Sequence, residues 1–262
     1  MALPSILALT VILISSAMPA FASSNGIYAI GGISSTGSVN TVEAYDPLTD
    51  KWTTVAPLPV ATSILAAATD SSGNIYAIGG ETSGGVLTDS VYKYTPSTNT
   101  WTTVAPLPVK TLALAASTDS SGNIYAIGGA LLGVKTDSVY KYTPSTNTWT
   151  TVAPLPMKIS LLAAATDSSG NIYAIGGALL GVKTDSVYKY TPSTNSWSSV
   201  GSIHVARSSF AAASGLLIPS YTTPIQLPPA VIAWIAMISI IIFVVVISVI
   251  PHHGPVRKFP PP

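Results

Sequence analysis

The side chains able to engage a ligand are few, and they recur at matching places along the chain. Lys110, Lys135, Lys158 and Lys183, with Arg207 and His204 toward the end of the series, stand in variable segments between apolar runs. Cationic groups gathered on one surface suit an anionic or polyhydroxylated ligand, such as an acidic glycan or a partner protein. Asp89, Asp137 and Asp185 stand in the same segments and offset much of that charge. A second acidic set, Asp70, Asp119 and Asp167, opens three copies of Asp-Ser-Ser-Gly-Asn. One carboxylate per turn is a poor calcium ligand set. Asp and Asn favour such turns through local hydrogen bonds, and Gly supplies the positive φ, so these aspartates read as turn formers.

Catalytic chemistry finds little to work with. The chain has no Cys, which excludes a thiolate nucleophile, a disulfide and any Cys-based metal site. His204 is the one histidine before the last forty residues, so a multi-histidine metal centre is excluded there. A Ser-His-Asp arrangement would have to recruit that residue, and no nucleophile-elbow sequence accompanies it. No catalytic residue, metal site or cofactor is therefore expected. Without Arg257 and Lys258 near the end, nine basic residues face ten acidic ones. No strong field exists to recruit nucleic acid.

The elements that position these groups repeat. Trp52, Trp101, Trp149 and Trp197 mark a period of about 48 residues, and so do the pairs Gly31-Gly32, Gly79-Gly80, Gly128-Gly129 and Gly176-Gly177. A fixed period near 50 points to a propeller or a solenoid. Each unit reads as an apolar strand, a turn, Ile-Tyr-Ala-Ile-Gly-Gly, Val-Tyr-Lys-Tyr and a Trp-containing strand ending in Pro-Leu-Pro. Ile64–Thr69 and Ile75–Gly80 are continuous apolar runs, as in strands covered on both faces. Trp101–Val104 alternates with threonines, like an outer strand. The units therefore predict four-stranded sheets with the Ala-rich strand at the axis. Structural need accounts for the glycine pairs and the tryptophans, since glycine lets a neighbouring backbone approach closely.

These motifs resemble the kelch family. The resemblance is carried by the Gly-Gly pairs, by Tyr45, Tyr92, Tyr140 and Tyr188 of the third strands, by the following Trp, and by Pro-Leu-Pro. Val-Glu-Ala-Tyr-Asp-Pro at 42–47 before Trp52 is close to the family's usual wording. The match covers about residues 26–213. It implies an all-β, kelch-like β-propeller that serves as a binding or interaction module, with a sugar-directed enzyme as the alternative. The copper oxidases among kelch-like propellers use a Cys-Tyr cross-link, which this chain cannot form. Two departures stand out. The family more often has five to seven blades, and its first-strand Arg survives only as Arg207, with Thr62, Thr111 and Ile159 in the equivalent places.

The two ends of the array are complementary. Gly26-Ile27-Tyr28-Ala29-Ile30-Gly31-Gly32 is a second strand with no first strand before it, and Val205–Ala213 is a first strand with no second strand after it. Pairing them predicts a closed four-bladed ring with no exposed sheet edge. An eight-bladed homodimer or an open arc is the competing reading. Connections such as Glu81–Asp89 and Ala105–Lys110 should share one face, and the Asp-Ser-Ser-Gly-Asn and Pro-Ser-Thr-Asn turns the other.

The flanking segments set the expected address. Residues 5–14 are apolar and lead to Ala20-Phe21-Ala22, the pattern of a signal peptide over 1–22. The repeat domain then occupies 23–214 and a Pro-rich linker 215–229. Residues 230–250 carry no charge and are long enough for a transmembrane helix. His252, His253, Arg257 and Lys258 follow in the tail, 251–262. The positive-inside rule puts that tail in the cytoplasm and the propeller outside. The two histidines read as interfacial. The expectation is a single-pass protein of the cell membrane that meets a protein or glycan ligand at the surface.

Overall fold

The computed structural model describes residues 26–179 and 181–215. The chain divides into two units after Ser214, and the first carries all the described secondary structure. It is all-β, with no helix among the described residues. The expected signal peptide, transmembrane helix and cytoplasmic tail lie outside the described residues. Within those, no helix is long and apolar enough to cross a membrane.

Three units fold as four-stranded antiparallel sheets, called blades 2 to 4. Blade 2 runs from the inner strand Ala66–Thr69 through Ile75–Ile78 and Val91–Thr95 to the outer strand Thr100–Thr103. Blade 3 uses Ala115–Thr118, Ile124–Ile127, Val139–Thr143 and Thr148–Thr151; blade 4 uses Ala163–Thr166, Ile172–Ile175, Val187–Thr191 and Ser196–Val200. The inner register repeats without a slip: Ala67 opposes Ala77, Ala116 opposes Ala126, and Ala164 opposes Ala174. Blade 1 has only three strands, Ile27–Ile30, Val42–Asp46 and Lys51–Thr54.

Burial follows position in the blade, with one departure from expectation. The second strands of blades 2 and 3 are buried throughout, and the outer strands are largely exposed. The inner strands are only half covered: in Ala66–Thr69 exposure alternates along the strand. In the inner strands of blades 3 and 4 the first residue is buried and the next three are half-buried.

Two backbone devices set the blades side by side. At the elbow entering each inner strand, Ile64, Ala113, Leu161 and Ser209 all take positive φ, between 53° and 57°. This conformation costs a residue with a Cβ roughly 1–2 kcal/mol, and a ladder between blades holds it. The amides of Ala113, Leu161 and Ser209 donate to the carbonyls of Ile64, Ala113 and Leu161 at 3.1, 2.8 and 2.8 Å. The first glycine of each pair meets the next unit's elbow. A Cβ on Gly79 would lie 2.4 Å from the Thr111 carbonyl oxygen, and one on Gly128 2.6 Å from that of Ile159. The second glycine's amide donates to the same carbonyl, as Gly80 does to Thr111 at 2.9 Å.

Two expectations need correction. The tyrosines equivalent to Tyr45 are Tyr94, Tyr142 and Tyr190, which oppose Trp101, Trp149 and Trp197 as Tyr45 opposes Trp52. In Val-Tyr-Lys-Tyr the second tyrosine is the fully buried one that packs on the Trp, while Tyr92, Tyr140 and Tyr188 are partly buried against the core clusters. The expected closure by pairing Ile27–Ile30 with Ala211–Ala213 is also not formed. Among the described residues Ile27–Ile30 is bonded only to Val42–Asp46, and Ala211–Ala213 forms no strand. The last elbow is docked on blade 4 instead: Gly177 donates to the Arg207 carbonyl and Ser209 donates to Leu161, both at 2.8 Å. The residues after it, Phe210–Ser214, hold the sequence position of an inner strand but form no strand.

Gly79 and Gly133 separate crowding from backbone conformation. Both have positive φ, but nothing lies within 4 Å of a Cβ at Gly133. Gly133→Ala should therefore lose about 1–2 kcal/mol, whereas Gly79→Ala should lose clearly more. Urea unfolding of both variants checks the order.

Candidate functional site

The two faces of the array divide as the topology requires. Each second-to-third connection forms a short hairpin: Ala130–Leu131 with Val134–Lys135 in blade 3, and Ala178–Leu179 with Val182–Lys183 in blade 4. These hairpins stand beside the connections between blades, because Leu112 bridges to Ala130 and Ser160 to Ala178. Between them lie two grooves. One, of about 250 Å³, is lined by Val109, Leu131, Val134, Lys135 and Lys158. The other, of about 600 Å³, is lined by Val134, Lys135, Met157, Lys158, Leu179 and Gly181.

The expected cationic residues distribute unevenly over this loop face. Lys135 and Lys158 come together, both lining both grooves. Lys110 and Lys183 are exposed but line neither groove, and His204 is exposed as well. Arg207 has a structural part: its carbonyl anchors Gly177, its Nε donates to the Val205 carbonyl at 3.3 Å, and its guanidinium lies 5.7 Å from the Phe210 ring centre. No ion pair joins these cations to Asp89, Asp137 or Asp185 among the described residues. The backbone carbonyls of those aspartates accept from Leu107, Leu155 and Ile203.

What the charge pattern did not reveal is apolar. Leu132 is 80% exposed at its hairpin tip, Val182 is 70% exposed, and Ile33, Val86 and Val134 are exposed at the corresponding tips. Leu132 also has φ 47° and is followed by Gly133 at 81°. These two residues form a tight hairpin loop whose first position favours Asn or Asp. A leucine there is both strained and exposed. The signal was present in the sequence as Leu-Leu-Gly-Val between apolar strands.

On the opposite face the aspartates close their turns. The Asp70 carboxylate accepts from the amides of Ser72 and Asn74, both at 2.9 Å, from the Asn74 side chain and from the Tyr76 hydroxyl at 3.0 Å. Asp119 and Asp167 repeat the set with Asn123 and Tyr125, and with Asn171 and Tyr173. Burial by itself would raise the Asp70 pKa, but the bonds from Asn74, Tyr76 and Ser72 together bring it below the ordinary carboxylate value. Asp167 is lowered chiefly by the Asn171 side chain. Burial, followed by the bond to Asp70, pushes the Tyr76 hydroxyl far above its usual range.

This arrangement defines a class of protein: an array of four-stranded blades about a hub, with hairpin loops displayed on one face. A family model described as the KLHDC2/KLHL20/DRC7 Kelch-repeats domain matches residues 19–218, and the chain belongs to the kelch-repeat family. Human Kelch-like protein 35 is 42% identical over 65 residues, and the mouse Kelch-like protein 35 matches equally. That segment is 25% of this chain and spans only 11% of those relatives. A solved structure titled "Structure of YjhT" superposes with a TM-score of 0.60 at 18% identity, over 71% of this chain and 64% of that one. This likeness shows the fold.

A carboxyl with a depressed pKa stabilises the folded form above its unfolded value of about 4, and that contribution is lost as pH falls through the depressed value. The melting temperature should therefore fall in acid below about pH 4. Asp70→Asn with Asp167→Asn should lower it at pH 7 and flatten the acid decline, as followed by circular dichroism.

Proposed function

We propose that this chain is a cell-surface interaction module that presents its hairpin tips to a partner protein. Its kelch repeats supply a rigid scaffold, and recognition concentrates on the loops that such scaffolds hold. The observation that carries the reading is Leu132, exposed and in left-handed backbone at the tip of the hairpin whose Gly133, Val134 and Lys135 line a groove with Lys158. Strain kept at an exposed apolar position points to a use outside the folding of the chain. Apolar tips beside two lysines suit a partner surface with an apolar pocket edged by carboxylates.

The flanking segments support the location. The apolar stretch 230–250, the basic residues after it and the leader-like residues 1–22 together fit a single-pass protein with its blades outside the cell.

Leu132→Asn tests the reading from two sides, since asparagine suits the turn. Chemical denaturation should show a gain of about 1 kcal/mol. An array of extracellular protein domains and glycans, probed with the full chain in detergent, should select proteins. The variant Leu132→Asn/Val182→Asp should bind them at least tenfold more weakly. Selection of glycans alone, or protein binding unchanged in the variant, would overturn the proposal.

A further inference from the structure

The two ends of the array carry matching halves of a junction that the chain makes three times internally. At each internal junction the outer Trp of one blade reaches back to the blade before it. Trp101, Trp149 and Trp197 donate Nε1–H to the carbonyls of Ala56, Ala105 and Ala153 at 2.8, 2.8 and 2.9 Å. Blade 1 has the same Trp52, but among the described residues no clasped carbonyl meets it, and this side chain is 52% exposed. Blade 4 ends in Gly201 at the place of the clasped alanines, exposed and with nothing within 4 Å of a Cβ there.

The aromatic pairs between blades leave the same remainder. Tyr28 meets Tyr94, Tyr76 meets Tyr142 and Tyr125 meets Tyr190, with ring centres 5.5–5.6 Å apart. By the same order Tyr173 of blade 4 would meet Tyr45 of blade 1, and within the described residues that pair is not made. The elbow ladder ends likewise, with the Ile64 amide at one end and the Ser209 carbonyl at the other.

The inner edge of blade 1 shows the largest gap. Ile27–Ile30 has the sequence of the buried second strands, yet Ile27 is 58% exposed where Ile75 is 7%. Beside it runs a groove of about 770 Å³, lined by Tyr28 and Ile30 on one side and Ala67, Ala68 and Thr69 on the other. This is the seat that an inner strand fills in each other blade. Gly32 marks the vacancy: its counterparts Gly80, Gly129 and Gly177 each crowd the elbow of their own blade, whereas Gly32 has nothing within 4 Å.

We propose that a second copy of this chain occupies that groove with its Phe210–Ser214 segment. Aligned on the other blades, Ala211 opposes Ile30, Ala212 opposes Ala29 and Ala213 opposes Tyr28, with Trp52 on the partner's Gly201. All these contacts are unmade together among the described residues of one chain, in which the elbow at Arg207 and Ser209 is docked on blade 4. Used reciprocally, the two ends join two copies at two identical junctions, which removes both exposed sheet edges.

The absence of native cysteine makes the contact directly testable. Full-length chains carrying Ala29→Cys or Ala212→Cys alone are mixed in detergent and oxidised. The expected product is a disulfide-linked heterodimer on a non-reducing gel, with light scattering of the parent protein giving two chains per particle. Ala212→Pro should return that mass to one chain. The double variant Ala116→Cys/Ala126→Cys, facing pairs of the same register in blade 3, controls for oxidation. If this control closes while the mixed chains do not link, or if Ala29→Cys/Ala212→Cys closes only within one chain, the proposal fails.

Discussion

Each junction between blades turns on one peptide segment held from both sides. The Ala105 amide donates to Asn147 Oδ1 at 2.9 Å, and the Ala105 carbonyl accepts from Trp149 at 2.8 Å. Asn147 Oδ1 also takes the Tyr142 hydroxyl at 2.8 Å, and Tyr142 packs on Trp149 with ring centres 5.0 Å apart. Ala56 with Asn99 and Trp101, and Ala153 with Asn195 and Trp197, repeat the arrangement. A net hydrogen bond is worth about 0.5–1.5 kcal/mol, and leaving a buried partner unmade costs more. The clasp therefore fixes where one sheet meets the next, and the left-handed backbone of the asparagines, with φ near 50°, aims the amide at its target.

Hub and rim depend on that placement. With the outer ends clasped, the glycine pairs can sit against the next unit's elbow, and the elbow ladder can hold bulky residues at positive φ. The buried tyrosines and isoleucines of the second strands then fill the space between sheets, as Tyr125, Ile127, Leu155, Ile159, Ile172 and Tyr190 do between blades 3 and 4. The hairpins at the loop face are tied to this frame at their bases, where Ala130 bonds to Leu112 and Ala178 to Ser160, and their tips project from it. Their tips are thus free to carry side chains chosen for something other than folding.

Much of this was legible in the residues themselves. The period of Trp and Gly-Gly, the Ala-rich inner strands and the turn role of Asp70, Asp119 and Asp167 all follow from local chemistry, because each recurs with the same neighbours. The kelch resemblance rested on the same positions. The choice between Tyr92 and Tyr94 was not legible: both alternate correctly in a strand, and only packing against Trp101 separates them. Asn99 and its equivalents looked like ordinary turn residues, since their second duty lies more than forty residues away. Arg207 and the four lysines were grouped by charge, yet only Lys135 and Lys158 share grooves, and the exposure of Leu132 depends on how far its hairpin projects. The matching sequences of the two ends did not decide their pairing, since among the described residues Ile27–Ile30 bonds to Val42–Asp46 and Ala211–Ala213 forms no strand.

Native-state hydrogen exchange at the Ala105 amide tests the clasp most directly. Its protection should match that of the strand amides in blades 2 and 3, and Asn147→Ala should abolish it there while leaving Ala56 protected. Exchange at Ala105 as fast as at the exposed hairpin tips, or protection unchanged by Asn147→Ala, would contradict the clasp as the contact that sets one blade against the next.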